Sequence, residues 1–373
     1  MPLISDGADE AEQAFRLTDG VAHAMADAGL YRLQAPAAVG GGDVSPMTSI
    51  GAIEVVAQAD GATGWNLMIG IEATGIAGAA LAAEPAAEVF ADPRLIISGA
   101  LNPQGRADPV AGGYRVSGQW PFASGCQNSQ WFHGQCIVYD GEERAREPDG
   151  RVMLREVLVP ASDFRVVETW SVAGLRGSGS HDVAVDDVFV PDRFVTAVSA
   201  HGVGTESALY RMPILTRLSY NKVAVATGIA RGALDHFIRL ASEKTPRAAS
   251  GLLRERPAAQ LAIAEAEALL RSGRALVLQT VSDVYDATIA SREVTLEQRA
   301  LLQLACTHAT ASAVRAVEIV HSAAGSTANF MDSPLERRFR DVHVVPQQFM
   351  ASPQWLEPTG RVLLGMDSGS PLL

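Results

Sequence analysis

The spacing of apolar positions divides the chain into three zones. From about residue 5 to about 95 the sequence is rich in alanine and helix-like, with loop signals at 40–42 and 92–93. From about 96 to 200 glycines recur, and short β-prone runs occur at 114–118, 131–139, 151–159 and 182–190. From about 207 to 350 long helical segments return. Helices, then strands, then helices indicate an α+β fold with segregated layers rather than an alternating βαβ sheet.

The long helices of the last zone are predicted at about 214–243, from Pro257 onward, and at about 295–324. Pro257 suits the first turn of a helix, where its missing N–H is not needed. Six residues of that helix share one side at a period of 3.6, and we expect them to form its apolar face. They are Leu261, Ala264, Ala268, Leu269, Ala275 and Leu276.

Composition limits the possible partners and the number of packed units. The 373 residues are 47% hydrophobic, which suits two or three units, with boundaries expected at 1–95, 96–205 and 206–373. A net charge of −12 argues against nucleic acid as a partner. The apolar stretch 69–83 is short and contains Glu72, and the first residues lack a signal peptide, so we expect no membrane span. Three cysteines without a CxxC pair fit the reducing cytoplasm.

Several common catalytic motifs do not fit their context. The glycine-rich run 174–179 leads into a predicted strand, whereas a phosphate-binding loop must lead into a helix N-terminus. Ser180, His181 and Asp182 are consecutive strand residues, which point to alternate faces and cannot form a triad. His133 and Cys136 have a metal-like spacing but lack a second pair, so we predict no metal site.

Two segments carry candidate binding chemistry, each with a structural alternative. Residues 118–125 (GQWPFASG) place aromatic rings beside a serine, which suits a flat hydrogen-bonding heterocycle or else a core Trp/Phe pair beside a turn. Residues 334–341 (PLERRFRD) contain three arginines that could bind phosphate or carboxylate. The same arginines could instead form structural salt bridges with Glu336 and Asp341.

Taken in order, the segments 33–42, 60–65 (DGATGW), 114–125 (YRVSGQWPFASG) and 170–191 resemble the acyl-CoA dehydrogenase superfamily over nearly the whole chain. The resemblance implies an N-terminal helical domain, a central β-barrel-like domain and a C-terminal four-helix bundle. It also implies a homotetramer, built as a dimer of dimers, and FAD or FMN bound between the β domain and the bundle, partly by a neighbouring subunit.

The same resemblance implies roles for individual residues at the flavin. Phe122 is expected to stack near the isoalloxazine ring, Ser124 to hydrogen-bond its N5 edge, and Trp170 to flank it. From the bundle side, Gly325 and Ser326 are expected to meet the flavin. The rest of the expected flavin-binding set is Trp120, Ala123 and Arg340.

Two branches of the superfamily are possible. Acyl-CoA dehydrogenases use a glutamate nine residues after the arginine that is Arg340 here, but this chain has Phe349 there, and 215–225 contains no glutamate either. Segments 333–341 and 356–365 resemble instead the two-component flavin monooxygenases, which receive reduced flavin from a separate reductase. Their usual histidine falls on Gln348, which can hydrogen-bond but cannot exchange a proton near neutral pH.

His343 and Glu72 are the remaining catalytic candidates beside Gln348. His343 lies five residues upstream of that position, and the alternative is a structural histidine. Glu72 is unusual in an apolar helix, where burial could make it a base, and the alternative is a partly exposed residue near a helix end.

We therefore expect a flavin-dependent monooxygenase that uses reduced flavin and O₂ on a small aromatic or polyketide-like substrate. One alternative is an acyl-CoA dehydrogenase-like desaturase or oxidase with a displaced catalytic base. A second is a catalytically degenerate member that only binds a ligand or partner.

Overall fold

Helices fill the first zone of the chain. The computed structural model describes residues 1–197, 202, 204, 206–247 and 250–373. The helices before the sheet are α1 (Pro2–Ala14), α2 (Asp19–Asp27), α3 (Pro46–Ala59), α4 (Gly61–Ala80) and α5 (Ala83–Val89). Asp60 separates α3 from α4 and caps α4, because its Oδ2 accepts hydrogen bonds from the N–H and the hydroxyl of Thr63, both at 2.7 Å.

One sheet follows, with its strands between residues 97 and 197. They are β1 (Ile97–Val110), β2 (Gly113–Trp120), β3 (Trp131–Asp140), β4 (Glu143–Arg144), β5 (Leu154–Pro160), β6 (Arg165–Val167), β7 (Asp182–Pro191) and β8 (Val195–Ala197). The order is β6-β7-β2-β1-β3-β5-β8, with β4 paired to β3. β1 and β3 are parallel and the other pairs are antiparallel. Trp120 and Phe132 fill the core on one face of this sheet.

The four predicted strands correspond to β2, β3, β5 and β7, although β5 begins at Leu154 rather than at Arg151. The sequence pattern misses β1, although it is the longest strand described. Pro103 and Pro109 lie inside it, and its pairing with β3 shifts register between Ala100 and Gly105. Prolines and bulges break the alternation on which strand recognition depends.

The last zone forms a helical bundle, as predicted. Its helices are α6 (Ala208–Arg211), α7 (Ile214–Glu243), α8 (Pro257–Ile289), α9 (Leu296–Ala324), α10 (Pro334–Val344) and α11 (Leu356–Leu363). α7, α8 and α9 pack on one another, and α10 packs on α7 and α9. The α+β organisation is thus confirmed, while the domain boundaries at 95 and 205 stay predictions. Within the described part of the chain, no helix has the length and apolar run needed to cross a membrane.

The predicted buried face of α8 is wrong. Leu261 is 71% exposed and Leu276 is 39% exposed, whereas Leu270, Val277 and Val284 are buried. Alanines occur all around this helix, so its hydrophobic pattern does not define one side. The buried positions repeat at the seven-residue spacing that long, nearly parallel helices use against each other.

α4 joins the sheet to the bundle. It packs on α7 and on β1, and its residues are buried on nearly every side from Gly61 to Ala79. Because α4 contacts both the sheet and the bundle, residues at different heights along it can face two neighbouring regions of one site. Trp65 and Glu72 are seven residues apart, which corresponds to about 10 Å along the helix.

Candidate active site

The turn after β2 presents an aromatic side chain to solvent. Phe122 has a left-handed backbone with φ of 64° and its side chain is 65% exposed. Its ring meets that of Trp170 edge to face, with centroids 6.2 Å apart. A bulky residue held in this backbone region is strained by about 1 kcal/mol or more, and such strain concentrates at functional sites. Phe122 and Trp170 therefore form an open aromatic surface that the sheet core does not require.

Serine hydroxyls form a chain beneath this surface. Ser124 Oγ lies 2.7 Å from Ser180 Oγ, which lies 2.7 Å from Ser178 Oγ. Trp65 on α4 donates its indole N–H to Ser124 Oγ at 3.1 Å. Asn66 Nδ2 donates to the carbonyl of Ser178 at 2.9 Å. These bonds fix the turn after β2 against both the start of α4 and the loop before β7.

His181 binds the backbone beside both Phe122 and Trp170. Its Nδ1 accepts hydrogen bonds from the backbone N–H groups of Thr169 and Trp170, each at 3.1 Å. Its carbonyl accepts from the N–H of Ala123 at 2.9 Å. Because Nδ1 acts as an acceptor, the ring proton lies on Nε2 in the neutral form. His181 thus positions Phe122 and Trp170 relative to each other.

The arrangement fits a flavin chemically. A hydroxyl has one hydrogen and two lone pairs, and Ser124 uses two of these three sites for Trp65 and Ser180. If Ser124 donates to Ser180, a lone pair remains for the N–H that a reduced flavin carries at N5. The exposed ring of Phe122 offers a face for a flat heterocycle.

The other residues expected to bind the flavin lie in the interior beside the sheet or at the end of α9. Trp120 is fully buried, and its indole N–H donates to the carbonyl of Gln135 at 2.8 Å, so its side chain belongs to the sheet core. Ala123 is also buried. Gly325 and Ser326 lie in an exposed turn at the end of α9, where Lys244 Nζ donates to the carbonyl of Ala324 at 2.6 Å. Their roles at a flavin stay predictions.

The arginines of α10 form structural contacts. Arg340 donates to both carboxylate oxygens of Glu336, at 2.6 and 2.7 Å, to the carbonyl of Ala173 at 2.5 Å, and pairs with Glu12 at 2.7 Å. Arg337 also pairs with Glu12. This agrees with the salt-bridge alternative for Glu336. The contribution of Arg340 to flavin binding stays a prediction.

A second polar cluster lies between α4 and α7. Glu72 is buried and forms an ion pair with Lys222, while Asn221 Nδ2 donates to its other oxygen at 3.1 Å. Burial raises the pKa of Glu72, and the charges of Lys222 and Arg217 oppose that rise. Glu72 is therefore a buried residue with two protein partners, and the alternative of a partly exposed residue near a helix end is wrong.

Arg217 lies one turn before Asn221 on α7. It is 6% exposed, and its guanidinium stacks 4.3 Å from the centre of the Tyr210 ring. Next to it, Leu218 joins Ile76 of α4 and Met350 in an apolar cluster against which Leu101 of β1 packs. Charged and apolar groups thus adjoin where α4, α7 and β1 meet.

Gln348 and His343 occupy different surroundings. Gln348 is half-buried, and its Oε1 accepts from the N–H of Met350 at 2.6 Å. Gln303 on α9 donates to the carbonyl of Met350 at 2.6 Å, which ties this segment to the bundle. His343 has Nδ1 2.6 Å from the carbonyl of Phe339 and Nε2 3.3 Å from Glu318. Both of its ring nitrogens therefore face protein acceptors, and catalytic roles for both residues stay predictions.

Asp341 links the bundle to the loop that carries Trp170. Its Oδ1 accepts from the N–H of Leu175 at 2.6 Å. Burial, together with the negative charge of Asp60, raises the pKa of Asp341 to about 7. The sequence analysis missed this carboxylate pair, because Asp60 and Asp341 meet only in the folded chain.

Sequence reasoning also missed Arg217 and the supporting roles of Ser180, His181 and Asn66. Trp65, Ser180 and His181 do fall within segments that carry the family resemblance. Nothing in the sequence marks Arg217, since an arginine in a helix is ordinarily exposed.

Comparison with known proteins identifies the family of the chain. The model of the family "Acyl-CoA dehydrogenase, C-terminal domain" matches residues 221–353. An indole-3-acetate monooxygenase of Pseudomonas putida is 32% identical over 338 residues, covering 90% of this chain and 84% of that protein. The oxygenase subunit HsaA of a flavin-dependent monooxygenase from Rhodococcus jostii is 31% identical, covering 92% and 90%. The crystal structure of 3-HSA hydroxylase from Rhodococcus sp. RHA1 superposes with a TM-score of 0.89 at 28% identity, covering 100% of this chain and 96% of that one.

Proposed function

Because the chain belongs to the flavin-dependent monooxygenases of the acyl-CoA dehydrogenase superfamily, we propose that it is the oxygenase component of a two-component system. It takes up reduced FAD or FMN from a separate reductase and hydroxylates a small aromatic substrate. The observation that carries the proposal is the exposed ring of Phe122, packed against Trp170, beside the buried hydroxyl of Ser124.

The chain supplies positioning, while the cofactor supplies electrons. A bound reduced flavin provides the two electrons that, with O₂, place one oxygen atom in the substrate and release the other as water. Phe122 and Trp170 would contact the flavin ring, and Ser124 would accept a hydrogen bond from its edge. Trp65 and His181 keep these groups in place through the bonds described above.

An aromatic substrate is supported by the relatives and by the apolar cluster beside α4. One relative is named for indole-3-acetate, which is a small aromatic molecule. Ile76, Leu101 and Leu218 offer apolar surface for such a ring. The dehydrogenase alternative has less support, because Phe349 occupies the base position and Glu72 is paired with Lys222.

We also propose a homotetramer, in which Gly325 and Ser326 meet the flavin of a neighbouring subunit. Both residues are exposed in the single chain, and Phe330 and Met331 nearby are each 64% exposed. An apolar surface beside a predicted cofactor contact suits burial against another copy.

Anaerobic titration with reduced FMN and reduced FAD tests the flavin surface. Wild-type protein is expected to bind at least one of them, and Phe122→Ala is expected to bind it about 3- to 10-fold more weakly, the range for one lost aromatic contact. Phe189→Ala is the matched control, since Phe189 is 43% exposed on β7, and its affinity is expected to be unchanged.

Admission of isotope-labelled O₂ with a panel of phenols and indoles then tests the reaction. The label is expected in the product of the wild-type enzyme. Flavin binding followed by dehydrogenated product, with no oxygen incorporated, would support the desaturase or oxidase alternative. Absence of flavin binding would support the degenerate one.

A further inference from the structure

Arg217 is a buried cation held in a fixed orientation. It lies on the first turns of α7, is 6% exposed and stacks on the ring of Tyr210. Tyr210 is itself fixed, because its hydroxyl donates to the carbonyl of Gln34 at 2.7 Å. A Cβ on Gly75 of α4 would lie 2.5 Å from that hydroxyl, so Tyr210 is also pressed against α4. The guanidinium is thus placed beside the helix that carries Glu72 and Ile76.

No carboxylate among the described residues forms an ion pair with this cation, although the charges of Arg217 and Glu72 attract each other. Across the described residues, the guanidinium of Arg217 makes no hydrogen bond and no ion pair. The nearby carboxylate of Glu72 is engaged by Lys222 and Asn221. Burial raises the pKa of Tyr210 and that of Tyr220 well above the ordinary value, so both phenols are neutral at physiological pH. Arg217 and Lys222 therefore outnumber Glu72 by one charge, while Asp43, whose negative charge also acts on Tyr210, accepts a hydrogen bond from the Ser207 hydroxyl.

A buried guanidinium without an anionic partner is unfavourable unless a ligand supplies one. Its planar fork matches the two oxygens of a carboxylate, to which it donates two parallel hydrogen bonds. The adjoining residues Leu218, Ile76 and Leu101 are apolar and suit a ring rather than a second polar group. An aromatic acid has both features.

We propose that Arg217 binds the carboxylate of an aromatic acid whose ring lies against the apolar cluster of Ile76, Leu101 and Leu218. This names the substrate class and rests on the proposed function. Arg217 is a substrate-binding residue in this scheme, and Glu72 with Lys222 forms the neutral pair behind it.

Equilibrium binding of matched probes tests the inference without flavin. Benzoate, phenylacetate and naphthalene-1-acetate are each compared with their uncharged carboxamides by isothermal titration calorimetry. For at least one pair, the wild-type protein is expected to bind the acid about tenfold or more tightly than the amide. Arg217→Met is expected to weaken acid binding by about 10- to 100-fold and leave amide binding unchanged, because only the charge-assisted bonds are lost.

Arg217→Lys keeps the charge but not the planar guanidinium. Its affinity for the acid is expected to lie between those of wild type and Arg217→Met. Arg239→Met is the matched control, because Arg239 is an exposed arginine of the same helix. Ligand-free Arg217→Met is expected to melt no lower than wild type, since an unpaired buried charge has been removed.

Two results overturn the inference. One is that no acid binds more tightly than its amide to the wild-type protein. The other is that Arg217→Met keeps the preference for the acid, and a lower melting temperature in that case assigns Arg217 a structural role. Reduced FMN and FAD are titrated into the same variants. If the wild-type protein binds no reduced flavin but still binds an acid more tightly than its amide, the proposed function is refuted and this site is not.

Discussion

At the residue scale, the pair Glu72–Lys222 decides how α4 and α7 join. Both side chains are less than a tenth exposed, and Asn221 satisfies the remaining oxygen of Glu72. Breaking such a pair by removing one partner leaves the other charge buried and uncompensated, which costs more than the pair itself contributes.

Glu72→Gln is therefore expected to lower the free energy of unfolding by about 3–5 kcal/mol, measured by urea denaturation. Adding Lys222→Met removes the stranded charge, and the double variant is expected to recover most of the loss. An equal or greater loss in the double variant would contradict this account. Product formation by the restored double variant also tests the predicted catalytic role of Glu72, because retained turnover would rule out a catalytic base at this position.

The sequence identifies some residues of the site and not others for a physical reason. Phe122, Ser124 and Trp170 lie in short segments whose composition reflects a local turn and a strand, so a motif can carry them. Arg217 and Glu72 are 145 positions apart in sequence. Whether Arg217 has an anionic partner depends on the side chains that pack around it in the folded chain. A local sequence pattern does not predict those neighbours.

At the element scale, α10 connects the N-terminal helices, the bundle and the loop after β6. Arg337 reaches Glu12 of α1, Arg340 reaches the carbonyl of Ala173, and Asp341 accepts from the N–H of Leu175. The loop 168–175 carries Trp170, so the stability of this junction bears on the flavin surface. Burial and the negative charge of Asp60 raise the pKa of Asp341 to about 7, in the physiological range.

The stability of this junction is expected to depend on pH through Asp341. Its pKa is about 7 in the folded chain and ordinarily 3.8, so the folded state holds the proton more tightly than the unfolded state. The stabilisation is full below about pH 4 and is lost as pH rises through about 7, by up to about 4 kcal/mol. Asp341→Asn keeps an acceptor for Leu175 and cannot ionise.

The measurement is urea unfolding at about pH 5 and about pH 8. Relative to wild type, Asp341→Asn is expected to gain stability at the higher pH. Asp332→Asn, at an exposed position, serves as the control and is expected to follow wild type. A constant difference between Asp341→Asn and wild type at the two pH values would show that Asp341 does not titrate between them.

Element prediction succeeds where one pattern dominates. α7 and α9 are predicted within one residue because their apolar periodicity is long and uninterrupted. The pattern misses β1 because prolines and register shifts interrupt it, and it misassigns the buried face of α8 because alanine fits either side. In both cases tertiary packing, rather than local preference, selects the outcome.

At the scale of the whole molecule, exposed apolar side chains indicate surfaces that a single chain leaves uncovered. Leu261 and Ile289 on α8 are 71% and 55% exposed, and Phe330 and Met331 follow the turn that contains Gly325. Leu261 and Ile289 lie near opposite ends of α8, whereas Phe330 and Met331 are adjacent in sequence, and subunit interfaces bury exposed apolar side chains of this kind. The proposed tetramer explains the exposure of Phe330 and Met331 and links assembly to the cofactor.

The double variant Phe330→Ser/Met331→Ser separates assembly from folding. Sedimentation velocity is expected to show a tetramer for wild type and a smaller species for the variant, because two exposed apolar side chains no longer favour burial. Affinity for reduced flavin is expected to fall about tenfold, as for the loss of one or two backbone hydrogen bonds from the turn at 325–326. Circular dichroism is expected to be unchanged, since neither side chain belongs to the core.

Val110→Ser is the control, because Val110 is 43% exposed at the end of β1 and lies outside the proposed interface. It is expected to remain a tetramer with wild-type affinity. A wild-type protein that sediments as a monomer and still binds reduced flavin would confine the site to one chain. In that case Gly325 and Ser326 would lose their proposed role, and Phe122, Ser124 and Trp170 would have to hold the flavin alone.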